Sequence, residues 1–196
     1  MKPNLLLIET LLMSFTTFNS EPIERIGVKG PLIFNETSFG LAWTDKPNDT
    51  YFIQEYLPKG EKVESFNQML TLHLFVKDIT VKKAVKIKVQ ELENRKKTDP
   101  TCQYAVTESP DGKEVIVDCI LGESKGDKMS IMEFNIYRYK QVELSDKKKA
   151  ILIYAYSKRA YGDDITPFLK NLGKDRSALL NVMIGSEMPN VKLEDK

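Results

Sequence analysis

Residues 130–163 alternate with a period of two. In SIMEFNIYRYKQVE (130–143), Met132, Phe134, Ile136 and Arg138 fall on one side, and Ile131, Glu133, Asn135, Tyr137 and Tyr139 on the other. In AILIYAYSKRAYGD (150–163), Ile151, Ile153, Ala155, Ser157 and Arg159 share a side opposite Leu152, Tyr154 and Tyr156. Alternation of this kind is the signature of β-strands. The same pattern marks 70–76, where Leu70, Leu72, Leu74 and Val76 share a face, and the apolar stretches 39–45 and 50–57, joined by the Pro47-Asn48-Asp49 turn into a hairpin. Two further strands, 102–108 and 113–121, flank Pro110-Asp111-Gly112, a strong turn signal.

Elsewhere the period changes to that of a helix. From Thr80 to about residue 97, Val81, Ala84, Val85, Val89 and Leu92 form one stripe, with Lys82, Lys83, Lys86, Gln90, Glu93 and Lys97 on the opposite side. Asp78 or Thr80 can cap its start, and Asp99-Pro100 ends it. Those lysines read as a solvated outer face in preference to an anion-binding one. After Gly162 a second helical pattern begins, with Asp163 or Asp164 as cap and Pro167 in the first turn. Leu169, Leu172, Leu179, Leu180, Met183 and Ile184 supply its buried side, and Gly173 is expected to kink it or split it in two. Residues 186–196 are polar and expected to be a loose tail.

Short connections between the later strands favour antiparallel neighbours. The predicted class is α+β: a curved antiparallel β-sheet of about six to eight strands, with one central helix and a C-terminal helix or helix pair packed on it. Residues 21–185 read as a single domain, in keeping with a chain of 196 residues.

Charge and composition narrow the function classes. The formal net charge is +1 with 29% charged residues, so no overall field exists to hold a polyanion, and nucleic acid is not expected as partner. MKPNLLLIETLLMSFTTFNS (1–20) has the outline of a secretory signal peptide: Lys2, an apolar stretch, then small and polar residues. The alternative is a short amphipathic N-terminal helix. Its apolar run is far shorter than the roughly 20 residues a bilayer requires, so no transmembrane span is expected.

The two cysteines extend the compartment argument. Folding the chain at Pro110-Asp111-Gly112 sets Val106 opposite Val115, Tyr104 opposite Val117 and Cys102 opposite Cys119, which predicts a cross-strand disulfide. Signal-like start and paired cysteines point to an extracytoplasmic protein, secreted or periplasmic.

Signatures of catalysis are missing: there is no G-x-S-x-G, no phosphate-binding glycine loop and no calcium-loop spacing. The only histidine, His73, reads as a packed sheet residue. No cofactor or metal is expected. The remaining chemistry is charge within strands. Glu55 shares its face with Tyr51, Ile53 and Leu57, and a charge among aromatics requires a partner. Pairing of Glu55 or Glu133 with Arg138 or Arg159 is the expected solution, structural or forming a polar binding patch.

The sequence therefore predicts a non-enzymatic, extracytoplasmic binding or accessory domain whose partner is a protein or a small amphiphilic ligand. One alternative is a carrier with a pocket between the sheet and the helix at 80–97, lined by Tyr51, Phe75, Tyr137, Tyr154 and Tyr156. A less favoured one is an enzyme built on the carboxylate–arginine cluster.

Overall fold

The computed structural model describes residues 21–145 and 147–193; the signal-like segment lies outside the described residues. Eight strands form one antiparallel sheet: β1 (Leu32–Phe34), β2 (Thr37–Asn48), β3 (Tyr51–Pro58), β4 (Gln68–Phe75), β5 (Gln103–Glu108), β6 (Glu114–Lys125), β7 (Lys128–Glu143) and β8 (Lys149–Tyr161). Helix α1 (Val81–Arg95) separates the first four from the last four, and α2 (Ile165–Gly185) closes the chain. The spatial order is β1-β2-β3-β4-β8-β7-β6-β5, so two meanders meet along the β4–β8 ladder. This is the expected α+β class.

The sheet is strongly curled. Phe34 on β1 and Tyr156 on β8 lie four strand steps apart, which in a flat sheet would be about 19 Å at 4.8 Å per step. Their rings instead stack at 4.5 Å. The inner face so enclosed holds the main core: Phe39, Tyr56, Leu70, Leu72, Phe134, Ile136 and Leu152, closed by Ile165, Phe168, Leu172, Leu179 and Met183 of α2. On the outer face α1 sets Val81, Val85 and Leu92 against Val115, Val117, Cys119, Tyr139, Ile151 and Ile153.

Local chemistry explains the helix ends. Thr80 caps α1, its side chain accepting from the Lys83 amide at 3.2 Å. Past the helix, buried Asp99 accepts from the Thr101 amide and hydroxyl, the Gly122 amide at 2.9 Å and Arg95 Nε at 3.2 Å. These bonds hold its carboxyl below the usual range despite the opposing effect of burial. One side chain thus ties the end of α1 to β6. Asp163 and Asp164 cap nothing with their side chains; they lie in a 3₁₀ turn leading into α2.

Three expectations fail here. Helix α2 runs unbroken through Gly173, because Leu172 and Leu179 on either side of it seat in the same core and outweigh the roughly 1 kcal/mol a helical glycine costs. Its buried stripe is also rotated: Ile165 and Phe168 point inward, while Leu169 and Ile184 are exposed. The tail is docked as far as the described residues extend. Val191 is buried, and the Lys192 amide donates to the Ile26 carbonyl at 2.7 Å. Among the described residues no helix is long and apolar enough to cross a membrane.

Two glycines give opposite predictions. A Cβ on Gly122 would come within 2.5 Å of Thr101 Oγ1, which is fixed on Asp99, and 2.9 Å of Met129 Sδ. Gly122→Ala should lower unfolding free energy by about 1–3 kcal/mol. Gly173 is exposed and meets nothing within 4 Å, so Gly173→Ala should raise it by about 0.5–1 kcal/mol. Chemical denaturation of the two variants reads both.

Candidate functional site

Pairing across four strands sets the predicted charged residues in rows. On the outer face Glu55 stands opposite Thr71, which stands opposite Ala155, which stands opposite Tyr137. The next row toward the far end of β8 runs Met69, Ser157 and Asn135, and beyond it Arg159 faces Glu133. Glu55, Glu133 and Arg159 therefore share a face. Arg138 does not; it lies on the inner face opposite Tyr154.

Glu133 and Arg159 form the cross-strand ion pair, with Arg159 Nε donating to Glu133 Oε2. The network continues through Asn135 Nδ2, which donates to Glu133 Oε1 at 2.8 Å, and Ser157 Oγ, which donates to Asn135 Oδ1 at 2.6 Å. Arg159 also stacks over the Phe66 ring, 4.1 Å from its centroid. That aromatic belongs to the 59–67 loop, whose backbone is held by Glu61 and by the Tyr161 hydroxyl.

Glu55 is the exception. Among the described residues its Oε2 is the one enclosed side-chain oxygen or nitrogen with no hydrogen-bond partner. Burial pushes its carboxyl up to about 7, with Glu133 and Glu64 adding to the rise and Arg159 partly offsetting it. The arginine that could neutralise Glu55 is already committed to Glu133. An unmet buried acceptor costs about 1–3 kcal/mol.

Beside Glu55 the face is aromatic. Tyr51 stacks on Phe75 at 4.3 Å, and its hydroxyl bonds His73 Nδ1 at 2.9 Å. Burial, with the Lys88 ammonium adding to it, brings His73 down to about 4, so the ring is neutral at pH 7. Burial and the nearby Glu55 and Asp45 carboxylates hold the Tyr51 phenol above its usual range. The half-buried sheet histidine read from the sequence is what the structure shows.

Arg138 is structural. Its Nε donates to Glu114 at 2.6 Å, and its Nη1 donates to the Met183 and Ser186 carbonyls at 2.8 and 2.7 Å. It fastens the C-terminal end of α2 to β6 and β7. The sequence reading missed a second such tie: Arg176 of α2 grips buried Asp118 of β6, Nε to Oδ1 at 2.9 Å. A carboxylate inside the apolar run VIVDCIL was the available signal.

The aromatic set proposed for a carrier pocket is divided. Tyr51, Phe75 and Tyr137 lie outside and Tyr154 and Tyr156 inside, while α1 packs directly on the sheet with Lys88 over the Tyr137 ring.

The predicted disulfide is corrected. Both cysteines are free and buried. Ser109 to Gly112 forms a tight turn, with the Gly112 amide bonded to the Ser109 carbonyl at 2.9 Å and Gly112 at φ +69°. The ladder that follows sets Tyr104 opposite Cys119 and Val106 opposite Val117, two residues out of the pairing register. Cys102 instead directs its Sγ toward the Leu92 carbonyl. Burial pushes the Cys119 thiol up to about 12 and raises Cys102 as well.

Two outcomes follow. Native protein prepared without reductant should take up no alkylating label, and two labels per chain after denaturation, read by intact mass. Arg138→Met should lower unfolding free energy by about 2–4 kcal/mol, because it leaves two helix-end carbonyls and part of Glu114 unmatched.

No curated protein and no solved structure matches the chain. A sequence family matches residues 26–188, covering the whole sheet and both helices. The chain belongs to this uncharacterised family.

Proposed function

We propose that the protein is a non-enzymatic binding domain of an extracytoplasmic compartment, and that its outer sheet face receives a partner at Glu55. The observation that carries this reading is the unpartnered Glu55 Oε2. Nearly all other buried polar side chains among the described residues are matched within the fold, so the open acceptor marks the place where a small shift of the face would let a partner's N–H or O–H complete the bond. Helix α1 covers only the β6–β7 side of the face and the adjoining part of β8. Beyond it Tyr51, Ile53, His73 and Phe75 are half-buried and offer aromatic and aliphatic contact around the carboxyl. A neutral or donor-bearing partner fits best, since the ion pair beside Glu55 is already complete.

The compartment now rests on the N-terminal segment alone, since the thiols are free. A carboxyl poised near 7 also favours a second reading, a general base in an enzyme. Glu55→Gln separates the two: it keeps an acceptor oxygen for a partner but can take no proton.

The pH dependence has a definite sign. Below about 4.5 Glu55 is protonated both folded and unfolded; between 4.5 and about 7 only the unfolded chain ionises, so stability falls as pH rises through this window and levels off above it. Glu55→Leu should remove that decline and leave the protein about 1–3 kcal/mol more stable at pH 8. The same variant should lose the partner. With a photo-crosslinking residue in place of Ile53, expressed in the source cells, a discrete cross-linked species should form with Glu55 and vanish with Glu55→Leu. Persistence of that species would refute the role of Glu55, and its absence from both would refute the face.

A further inference from the structure

On the inner side of the fold, away from Glu55, a cleft of about 390 Å³ opens between β1 and the segment that follows α2. That volume lies within the usual range for small-molecule sites, about 300–1,000 Å³. Leu32 and Ile33 form one wall, Ser186 and Met188 the other, and Tyr154 of β8 lines it.

Tyr154 is only 2% exposed, and its ring is held edge-on against Phe34, with centroids 6.4 Å apart. Its hydroxyl is engaged by none of the hydrogen bonds among the described residues, whereas those of Tyr56 and Tyr156 on the same face are satisfied, by the Val28 carbonyl and by Gln68. Since the Tyr154 oxygen is not among the enclosed unmatched atoms, it opens to the exterior, and the cleft is where Tyr154 meets it. Burial pushes this phenol up to about 12, so at neutral pH it keeps its proton and can donate it to an acceptor in the cleft.

Arg138 is the cross-strand neighbour of Tyr154. It shares Glu114 with Lys140, which sits 2.8 Å from the same carboxylate, so two cations meet one anion and a net charge of +1 remains. Arg138, 12% exposed, is paired with Glu114, so the excess positive charge lies with the 41% exposed Lys140 beside it. Glu187 also lines the cleft and opposes an anion there, but it is exposed at the rim, where the dielectric of water holds such a repulsion to about 1 kcal/mol at 4 Å. A buried hydroxyl donor with positive charge behind it favours an anion over an amine. Leu32, Ile33 and Met188 favour an apolar chain.

The geometry points to this cleft as a binding site for a small carboxylate with a short apolar chain, the carboxylate accepting from the Tyr154 hydroxyl and the chain lying along Leu32, Ile33 and Met188. This inference is independent of the outer-face reading. Arg138 is a positioning residue, fixing Ser186 on one wall through its hydrogen bond to that carbonyl.

Titration of the full chain with hexanoate, hexan-1-ol and hexylamine tests it, by calorimetry and by amide shifts in NMR. Hexanoate should bind saturably and shift the Leu32, Ile33 and Met188 amides, with the alcohol and the amine at least about tenfold weaker. Tyr154→Phe keeps the ring and should weaken hexanoate by about 10–100-fold, the worth of a hydrogen bond to a charged group. Should that variant not fold, Ile33→Asp at a 63% exposed wall position sets a like charge beside the carboxylate and should weaken binding at least as much. Non-saturable hexanoate binding, equal affinity for the three probes, shifts confined elsewhere, or an unaffected folded variant would each overturn the assignment.

Discussion

The ladder between β4 and β8 is the contact on which the rest of the structure depends. Each meander, β1 to β4 and β5 to β8, forms from neighbours in sequence and costs little loop entropy. Their union does not: it sets Leu70 opposite Tyr156 and Leu74 opposite Leu152 across more than seventy intervening residues. Only burial on both faces can offset such a closure. Leu70, Leu72, Leu74, Leu152 and Tyr156 are all essentially inaccessible on the inner face, and Ile151 and Ile153 are covered on the outer one. Fully burying such side chains contributes about 1.5–3 kcal/mol each, and the seam collects them in a single register. A one-residue slip would turn each apolar side chain of β8 to the wrong face.

The same seam determines where charge can sit. Glu133 and Arg159 meet because β7 and β8 are hairpin neighbours, whereas Glu55 reaches their face only once β4 has docked on β8. A local pair thus satisfies itself, and the carboxylate brought in by the long-range contact finds the arginine taken. Partial burial then decides the protonation of Glu55: desolvation outweighs the attraction of an arginine already neutralised by Glu133.

These causes also explain what was legible in the sequence. Strands from 102 to 158, the helix opened by Thr80 and the α+β class could be read because they rest on local periodicity and turn chemistry. Glu133 with Arg159 was readable from face parity within a hairpin. Parity could not reveal whether Arg138 shared a face with Glu55, since this depends on a pairing between distant strands; the two fall on opposite faces. The cysteines failed for a smaller reason. The Ser109–Gly112 turn shifts the ladder by two residues, which preserves the face but separates the sulphurs along the strand. In α2 the apolar stripe was rotated because several leucines compete on sequence alone, and the curled sheet selects Ile165, Phe168 and Leu172. The docking of residues 186–193 rests on Arg138 and on the Ile26 carbonyl, partners that local pattern does not reveal.

Polar groups that the fold leaves open are the best guide to what it is for. The inner core contains Gln54, which donates to the Val28 carbonyl and to Tyr56, and accepts from the Arg25 amide. Asp118 is gripped by Arg176, and Asn135 is held from two sides. A chain that satisfies these demanding groups has the means to satisfy Glu55 and Tyr154 too. An arginine or lysine opposite Glu55, or an acceptor beside the Tyr154 hydroxyl, would do so without altering the backbone. The enclosed Glu55 oxygen costs stability that such a substitution would recover, so selection for stability alone does not account for it, whereas the Tyr154 hydroxyl meets solvent in the cleft. They lie on opposite faces of one sheet, one a carboxyl and the other a phenol, and each is bordered by apolar side chains.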